Sequence, residues 1–400
     1  MLVVCMRFGT SNCKLLFSFR SEPLNASGCK TIEIARKHFS SDEMSILLDK
    51  NGRVVALGYE VEMKYETEKE HRLIKLSKNA MKIALGVLSG NPLTYQKTAD
   101  VVLSCLQYML EILEEQIKER VGFISFEKDV FLVLILPSHL QHIAREISSK
   151  KIGPKRYRFL IVSEIDAIVC LMDRLDETMM RLKTKPWINF SVGCRYLLLF
   201  CGGITNATIL TMNPDGTHQT IVCKETRGGF YIYHRVLNVI RGIFGKEVIE
   251  EFEKEEKIHY LQWMQEVGSR KKRLSTEGYF QIPIASNFLE FHKRKMRREP
   301  SIYEQSNSIY KVELIGDRSF INGKFIIDEC YQEILEYTEN VLGEYETNNI
   351  VLYGGHGNCE YFRLLISTRF PNVRIVVPYN SDLAIAKGGT LYGHLHKPQV

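Results

Sequence analysis

Two matching glycine turns, about half a chain apart, constrain the fold of this sequence more than any other feature. The first turn, Gly9-Thr10-Ser11, separates two apolar runs within residues 2–19. The second turn, Gly202-Gly203-Ile204-Thr205, separates two apolar runs within residues 196–212. Each run–turn–run pattern predicts a β-hairpin. Glycine lets a ligand approach the backbone, and turn amides with a Thr hydroxyl form a concave anion site. The two hairpins therefore predict two lobes that grip one polyphosphate.

Length and composition set the first limits on the class of protein. A chain of 400 residues exceeds the usual size of a single core, so we expect two lobes. Apolar residues make up 45% and charged residues 25%, which is typical of a globular protein. The net charge of +6 is mild for this length and does not indicate a nucleic-acid partner.

The cysteines and the apolar runs indicate the compartment. The ten cysteines contain no Cys-x-x-Cys pair, so we expect neither a zinc site nor a disulfide framework. Reduced thiols favour the cytoplasm, with the nucleus as the alternative. The run Val130–Leu136 is too short to cross a bilayer, and we expect no membrane span. The apolar start breaks at Arg7 and lacks a basic leader, so it predicts a first strand rather than a signal peptide.

The order of apolar runs predicts alternating strands and helices. Residues 1–60 are β-rich with a hairpin turn at 49–52, and residues 66–120 have helical periodicity. The later predicted elements are strand 130–136, helix 138–149, strand 157–163, helix 165–184, a charged and mostly helical segment at about 232–310, helix 327–342, strand 350–353, helix 360–369, strand 373–377 and helix 382–393. Such alternation is typical of α/β lobes with mixed sheets.

We expect two lobes of similar length. Lobe I covers residues 1–190 and ends after a crossing helix that closes near 183–186. Lobe II covers residues 191–400, opens its first strand at Arg195 and carries the helical insert at about 232–310. The last helix is expected to return toward lobe I.

Five motifs in order resemble those of the actin / 70-kDa heat-shock / sugar-kinase ATPase superfamily, and most of all the divergent heat shock 70 kDa protein 12 family. The similarity runs along nearly the whole chain. The motifs are similar to a first phosphate loop at Gly9, Thr10 and Ser11, a second at Gly202, Gly203 and Thr205, a following turn at Gly228 and Gly229, a basic segment beside the adenine at Lys271, and an adenosine turn at Gly354 and Gly355. The resemblance implies a two-lobed α/β fold of duplicated ribonuclease H-like lobes with inserted subdomains, and ATP or ADP as the cofactor.

The departures from the family pattern fall on its metal-binding acids. Arg7, Phe200 and Ala207 stand where the resemblance implies three Asp residues that help to hold Mg²⁺ and its water shell. Magnesium requires carboxylates and retained waters in octahedral geometry. A guanidinium group matches phosphate oxygens but cannot coordinate a metal. We therefore expect no metal ligands here, and the sequence puts hydrolysis in doubt.

One acidic position of the family pattern is retained. Glu164 follows a predicted strand at the head of a helix, and it resembles the family's Glu near the attacking water. It is our candidate catalytic residue. The alternative is an acid at a helix N-terminus that is favoured only by the helix dipole.

The sequence predicts an ATP- or ADP-binding protein, similar to 70-kDa heat-shock proteins, with weak or absent hydrolysis. We expect no peptide-binding domain, since only seven residues follow Gly393. The second hypothesis is a nucleotide-free pseudo-ATPase that acts as a scaffold for unidentified protein partners, its glycine turns inherited but binding nothing. A sugar- or acetate-kinase-type enzyme is the third. The Phe200 ring is expected to discriminate between the first two, because a ring that points into the cleft over Gly9 would exclude phosphate.

Overall fold

The computed structural model describes residues 2–8, 13–19, 30–32, 44–58, 61, 64, 71–76, 92–121, 125–136, 158–175, 179–185, 190–270, 280–297, 312–315 and 318–396. The chain divides into two compact units. The first unit comprises Met1–Met179 with Leu383–Val400, and the second comprises Met180–Asp382. No helix among the described residues has the length and apolar character needed to cross a bilayer.

The first unit is built around a five-stranded mixed sheet. Its elements are β1 (Leu2–Phe8), β2 (Cys13–Phe19), β3 (Lys30–Ile32), β4 (Met44–Leu48), β5 (Val54–Leu57), β6 (Arg72–Leu76), α1 (Pro92–Val121), α2 (Phe126–Asp129), β7 (Val130–Leu136), β8 (Arg158–Ser163) and α3 (Glu164–Met172). The strand order is β3-β2-β1-β7-β8. Strand β1 is antiparallel to β2 and parallel to β7, which is parallel to β8. One face of β1, through Leu2, Val4 and Met6, packs with the buried face of α1.

A second, smaller sheet of the first unit has the order β5-β4-β6. The predicted hairpin turn at 49–52 is confirmed: Asp49 Oδ1 accepts from the amides of Asn51 at 2.8 Å and Arg53 at 2.9 Å. The helix predicted over 66–120 is wrong at its start, because Arg72–Leu76 pairs with β4 as strand β6. The short apolar run at Arg72–Leu76 is compatible with both the helical and the strand periodicity. Its pairing with β4 makes it a strand. The predicted helix near 138–149 lies outside the described residues.

The second unit contains a six-stranded sheet and a largely helical insert. Its elements are β9 (Met180–Lys183), β10 (Arg195–Cys201), β11 (Thr205–Met212), β12 (His218–Thr226), α4 (Gly229–Phe244), α5 (Lys246–Glu255), α6 (Lys257–Arg270), β13 (Gln281–Pro283), α7 (Ser286–Met296), β14 (Val312–Ile315), β15 (Arg318–Asn322), α8 (Lys324–Tyr345), β16 (Asn349–Tyr353), α9 (Glu360–Arg369) and β17 (Arg374–Pro378). The main sheet has the order β12-β11-β10-β16-β17-β9, and β13-β15-β14 form a small sheet.

The two main sheets share one topology. In each, three antiparallel strands are followed by two parallel strands, as β3-β2-β1-β7-β8 and as β12-β11-β10-β16-β17. The predicted hairpins are present at corresponding places, β1 with β2 and β10 with β11. Among the described residues, the duplication predicted from the two glycine turns therefore extends to the whole sheet.

The crossing helix predicted near 165–184 is shorter than expected. Helix α3 ends at Met172, and Met180–Lys183 forms strand β9 antiparallel to β17. Thr184 extends this pairing, since its Oγ1 donates to Val373 O at 2.8 Å and accepts from Ile375 N at 2.9 Å. The region that was predicted as one helix therefore forms helix α3 and strand β9. In β9, pairing with β17 overrides the helical pattern of apolar residues.

The last helix, α10 (Ala384–His396), belongs to the first unit and packs closely on its sheet through glycines. A Cβ added at Gly389 would lie 2.6 Å from Cys5 Sγ, and one at Gly393 would lie 2.7 Å from Val3 Cγ1. A Cβ added at Gly388 would overlap the carbonyl oxygen of Ala167 in α3. Glycine at these positions lets the helix approach β1 and α3 more closely than any side chain would allow.

Candidate functional site

The carboxyl ends of the parallel strands in the first unit bring Arg7 and Glu164 together. Arg7 stands near the end of β1, opposite Ile135 of β7, and Glu164 directly follows β8. Both Nε and Nη2 of Arg7 donate to Glu164 Oε1, at 3.0 and 2.8 Å. The two side chains are 8% and 20% exposed. In open α/β sheets, ligands bind at this edge, so the ion pair occupies the expected site of chemistry.

The start of helix α3 fixes the position of Glu164. Ser163 is the N-cap residue, and its Oγ accepts from the amide of Asp166 at 3.0 Å. Such a cap satisfies a backbone donor of the first turn and sets the direction of the helix. Glu164 is therefore held by a capped helix on one side and by Arg7 on the other.

The Arg7–Glu164 pair does not fit a magnesium ion. An Asp at position 7 beside Glu164 would present two negative charges, whereas the observed pair has no net charge. Mg²⁺ is bound through oxygen ligands, and a guanidinium group offers none. Within the part of the chain that the structure describes, no group of three or more His, Cys, Asp or Glu side chains is arranged to hold a metal.

In the second unit, backbone hydrogen bonds join the second glycine turn to the start of α4. The carbonyls of Gly202 and Gly203 accept from the amides of Gly229 and Phe230, each at 2.9 Å. A Cβ at Gly228 would lie 2.9 Å from both carbonyl oxygens, so this approach requires a glycine. The structure thus brings together the second predicted phosphate loop and the Gly228-Gly229 turn that follows it in the family pattern.

The Gly354 turn packs against the same region. Gly354 has a φ of +97°, which favours glycine, and its amide donates to Ser381 O at 2.9 Å. A Cβ at this position would lie 2.6 Å from the carbonyl oxygen of Cys201. Gly355 then begins a short 3₁₀ turn, Gly355–Asn358. The candidate adenosine turn therefore touches the end of β10, where the second glycine turn begins.

The Phe200 ring lies between these two turns. A Cβ at Gly202 would lie 2.6 Å from Phe200 Cζ, and one at Gly354 would lie 3.0 Å from Phe200 Cε2. The ring also packs against Tyr353, with the two centroids 5.5 Å apart. The phenyl ring thus covers one face of Gly202, and an anion approaching the backbone from that face must displace it.

Thr205 and Ala207 point away from solvent. Thr205 is 0% exposed and pairs with Cys201 and Thr226, while Ala207 is 1% exposed and lies in the apolar core of the unit. An Asp at position 207 would therefore be surrounded by apolar side chains in this structure. The sequence identifies the departure at Ala207, but the burial of its side chain is visible only in the fold.

A buried polar pair beneath the glycine turns was missed by the sequence analysis. Tyr331 Oη and His356 Nδ1 form a hydrogen bond of 3.0 Å, and a Cβ at Gly229 would lie 3.2 Å from His356 Nε2. Burial raises the pKa of Tyr331 well above its ordinary value, and it also raises the pKa of the Cys201 thiol. Both groups therefore stay neutral and act as supports for the turns. The signal available in the sequence was a histidine directly after Gly354-Gly355.

Four predicted site residues lie outside the described residues: Gly9, Thr10, Ser11 and Lys271. The first three follow β1, which the structure describes through Phe8, and Lys271 follows α6, which ends at Arg270. Their role as ligands stays a prediction.

Comparison with solved structures identifies the fold. The chain is similar to the crystal structure of MreB5 of Spiroplasma citri bound to ADP, with a TM-score of 0.53, 12% sequence identity and coverage of 99% of each chain. It is also similar to MreB 5 of the same organism bound to AMPPNP, with a TM-score of 0.50, 13% identity and coverage of 99% of this chain and 97% of that chain. No protein-family model matches the sequence, and no curated protein sequence matches it.

These similarities confirm the predicted fold class, a two-lobed actin-like α/β fold. At 12–13% identity they show the fold alone. The finer resemblance, to the heat shock 70 kDa protein 12 family, is not confirmed by them.

Proposed function

We propose that this protein binds ATP or ADP and hydrolyses it weakly or not at all. The fold supports nucleotide binding, because both MreB5 structures contain an adenine nucleotide. The observation that carries the loss of hydrolysis is the Arg7–Glu164 ion pair. It neutralises the carboxylate that we assigned to the attacking water and puts a guanidinium where a metal-binding acid was expected.

The proposed contacts follow the sequence motifs. Phosphate contacts are assigned to Gly9, Thr10, Ser11, Gly202 and Gly203, and adenosine contacts to Lys271, Gly354 and Gly355. The turn at Gly228 and Gly229 is assigned a contact with the nucleotide. The Thr205 side chain is fully buried, and its predicted role in the second phosphate loop stays part of this proposal.

The remaining parts of the proposal rest on the sequence. The motif order alone places lobe I in residues 1–190 and lobe II in residues 191–400, whereas the compact units divide after Met179 and include Leu383–Val400 in the first unit. We keep the likeness to the heat shock 70 kDa protein 12 family as a working assignment. A cytoplasmic chaperone-like protein that acts with other proteins and not with nucleic acid fits this assignment.

The chemical argument concerns the transition state of phosphoryl transfer. That transition state depends on a placed metal ion and on a positioned water. Metal placement contributes several kcal/mol, and each ~1.4 kcal/mol is tenfold in rate, so its loss costs roughly a thousandfold or more. Glu164 Oε1 already accepts two N–H groups of Arg7, which leaves this oxygen poorly placed to orient a water.

The test is ATP turnover with and without the Glu164 carboxylate. We expect phosphate release in the presence of magnesium to be near background, and Glu164→Gln to change it by less than about twofold, since a carboxylate paired with Arg7 takes no part in the reaction. Robust magnesium-dependent turnover that Glu164→Gln abolishes would show that Glu164 is catalytic and that this proposal is wrong.

The position of the Phe200 ring favours a second candidate function, a nucleotide-free scaffold. The ring covers Gly202 and contacts Gly354, so it stands in the way of an anion that approaches these glycines. In this second function, the glycine turns only hold the ends of strands β10 and β16 together. The Phe200 ring then takes up the space that a bound ligand would need.

A further inference from the structure

A pair of arginines converges on the last two residues of the 3₁₀ turn that follows Gly354, Gly357 and Asn358, neither of which is assigned to the nucleotide. Arg363 Nη1, from α9, donates to Gly357 O at 3.0 Å. Arg181 Nη1, from β9, donates to Asn358 O at 3.4 Å. Two guanidinium groups therefore hold consecutive carbonyls of the same turn, one from the edge strand and one from the helix.

A β-bulge aims Arg181 at this turn. In the pairing of β9 with β17, Leu182 stands opposite Val377 and Met180 opposite Pro378, so Arg181 is the extra residue. A bulge redirects the side chain of the extra residue, and bulges occur next to functional sites more often than elsewhere. The ring of Tyr379, which is 45% exposed, lies beside the guanidinium, with 5.6 Å from Arg181 Cζ to the ring centroid.

The two charges are not neutralised within the described part of the chain. Neither Arg181 nor Arg363 has a carboxylate within 4 Å there, although Arg369 on the same helix pairs with Glu339 at 2.6 Å. Burial lowers the pKa of Arg363, and the positive charge of Arg181 lowers it further, while Glu360 offsets this only in part. Two like charges that act on each other, one exposed on β9 and one half-buried on α9, with no carboxylate in ion-pair contact among the described residues, favour a bound anion.

We propose that Arg181 and Arg363 form a second anion site, which binds a phosphate group independently of the nucleotide. Each guanidinium carries five N–H donors in a planar fork, and the hydrogen bonds described use one from each. Planar forks of this kind match phosphate oxygens, and two positive charges match the dianion. Asn358 holds the turn in place, since its Nδ2 donates to Asp382 Oδ1 at 2.7 Å and its Oδ1 accepts from Ser381 N at 3.1 Å.

The test is titration of inorganic phosphate into the full chain by calorimetry. We expect saturable binding by the wild type, and Arg181→Gln and Arg363→Gln each to weaken it by about tenfold, the effect of losing one charge-assisted hydrogen bond. Arg369→Gln is the matched control, because it removes an arginine of the same helix that already has an acidic partner. Phosphate should also raise the unfolding temperature of the wild type and of Arg369→Gln, but not that of Arg181→Gln.

Three results would overturn the proposal: no saturable phosphate binding by the wild type, an equal affinity in Arg181→Gln, or binding that is lost in Arg7→Gln instead. The last would place phosphate at the proposed nucleotide site. If Arg363→Gln fails to fold, Arg181→Gln, a change at an exposed residue, still tests the proposal. A parallel titration with methyl phosphate shows whether the site takes free phosphate or the phosphoryl group of a monoester. Equal affinity supports a terminal phosphoryl group of a small monoester, and weaker affinity supports free phosphate.

Discussion

Arg7 and Phe200 place a guanidinium group and an aromatic ring at two strand positions of an actin-like fold without disturbing its sheets. Both occupy strand positions whose backbone pairing is regular, with Arg7 opposite Lys14 and Phe200 opposite Asn206. The sequence predicted that both positions depart from the family's acids. It could not predict that Arg7 would pair with Glu164, 157 positions away, because that contact depends on the register of three parallel strands.

The Phe200 ring offers a prediction at the same scale. If the protein binds nucleotide, Phe200→Ala should tighten ATP binding by about tenfold or more, since displacing a packed aromatic ring costs on the order of 1.5–3 kcal/mol and each ~1.4 kcal/mol is tenfold in affinity. Calorimetry measures the affinity, with Leu364→Ala, an exposed apolar residue on α9, as the control. Binding by Phe200→Ala and none by the wild type would support the scaffold instead. Gly202→Val is a poorer probe, because its side chain would collide with the Phe200 ring.

At the scale of elements, predictions from the sequence are confirmed where local chemistry and tertiary pairing agree. The two hairpins, the Asp49 turn and the alternating elements of the tail have strong local signals, and each is present as predicted. Strands β6 and β9 were predicted to be helical, because the periodicity of a short apolar run does not distinguish a helix from a strand. Both are edge strands, and each is defined by its pairing partner, β4 or β17, rather than by its own residues.

Helix α10 supplies the prediction at this scale. Gly388→Ala should destabilise the fold by about 3 kcal/mol or more, because the new methyl group meets the backbone carbonyl of Ala167, which cannot move without shifting α3. Gly343→Ala in α8 is the matched control. Nothing lies within 4 Å of its added Cβ, so it should stabilise by roughly 0.5–1 kcal/mol. Urea unfolding measures both, and a loss in Gly388→Ala no larger than the change in the control would refute the close contact.

At the scale of the whole molecule, two short glycine turns were enough to predict a duplicated α/β architecture. The turns mark equivalent hairpins, and each hairpin leads into a sheet of the same topology. The fold is retained at 12% identity to MreB5, because sheet topology depends on apolar pattern and turn chemistry more than on particular side chains. Activity depends on particular side chains, and for that reason the proposal on hydrolysis rests on Arg7 and Glu164 and not on the fold.

The central claim is that this protein binds a nucleotide at an actin-like site without a bound magnesium ion. Titration of ATP by calorimetry, once with magnesium and once with EDTA, tests it most directly. We predict saturable binding in both conditions with dissociation constants within about threefold, a difference of roughly 0.7 kcal/mol. The physical reason is that Arg7 has no oxygen ligand for magnesium and that its guanidinium group pairs with the Glu164 carboxylate. Binding that requires magnesium, or no binding in either condition, would contradict the account.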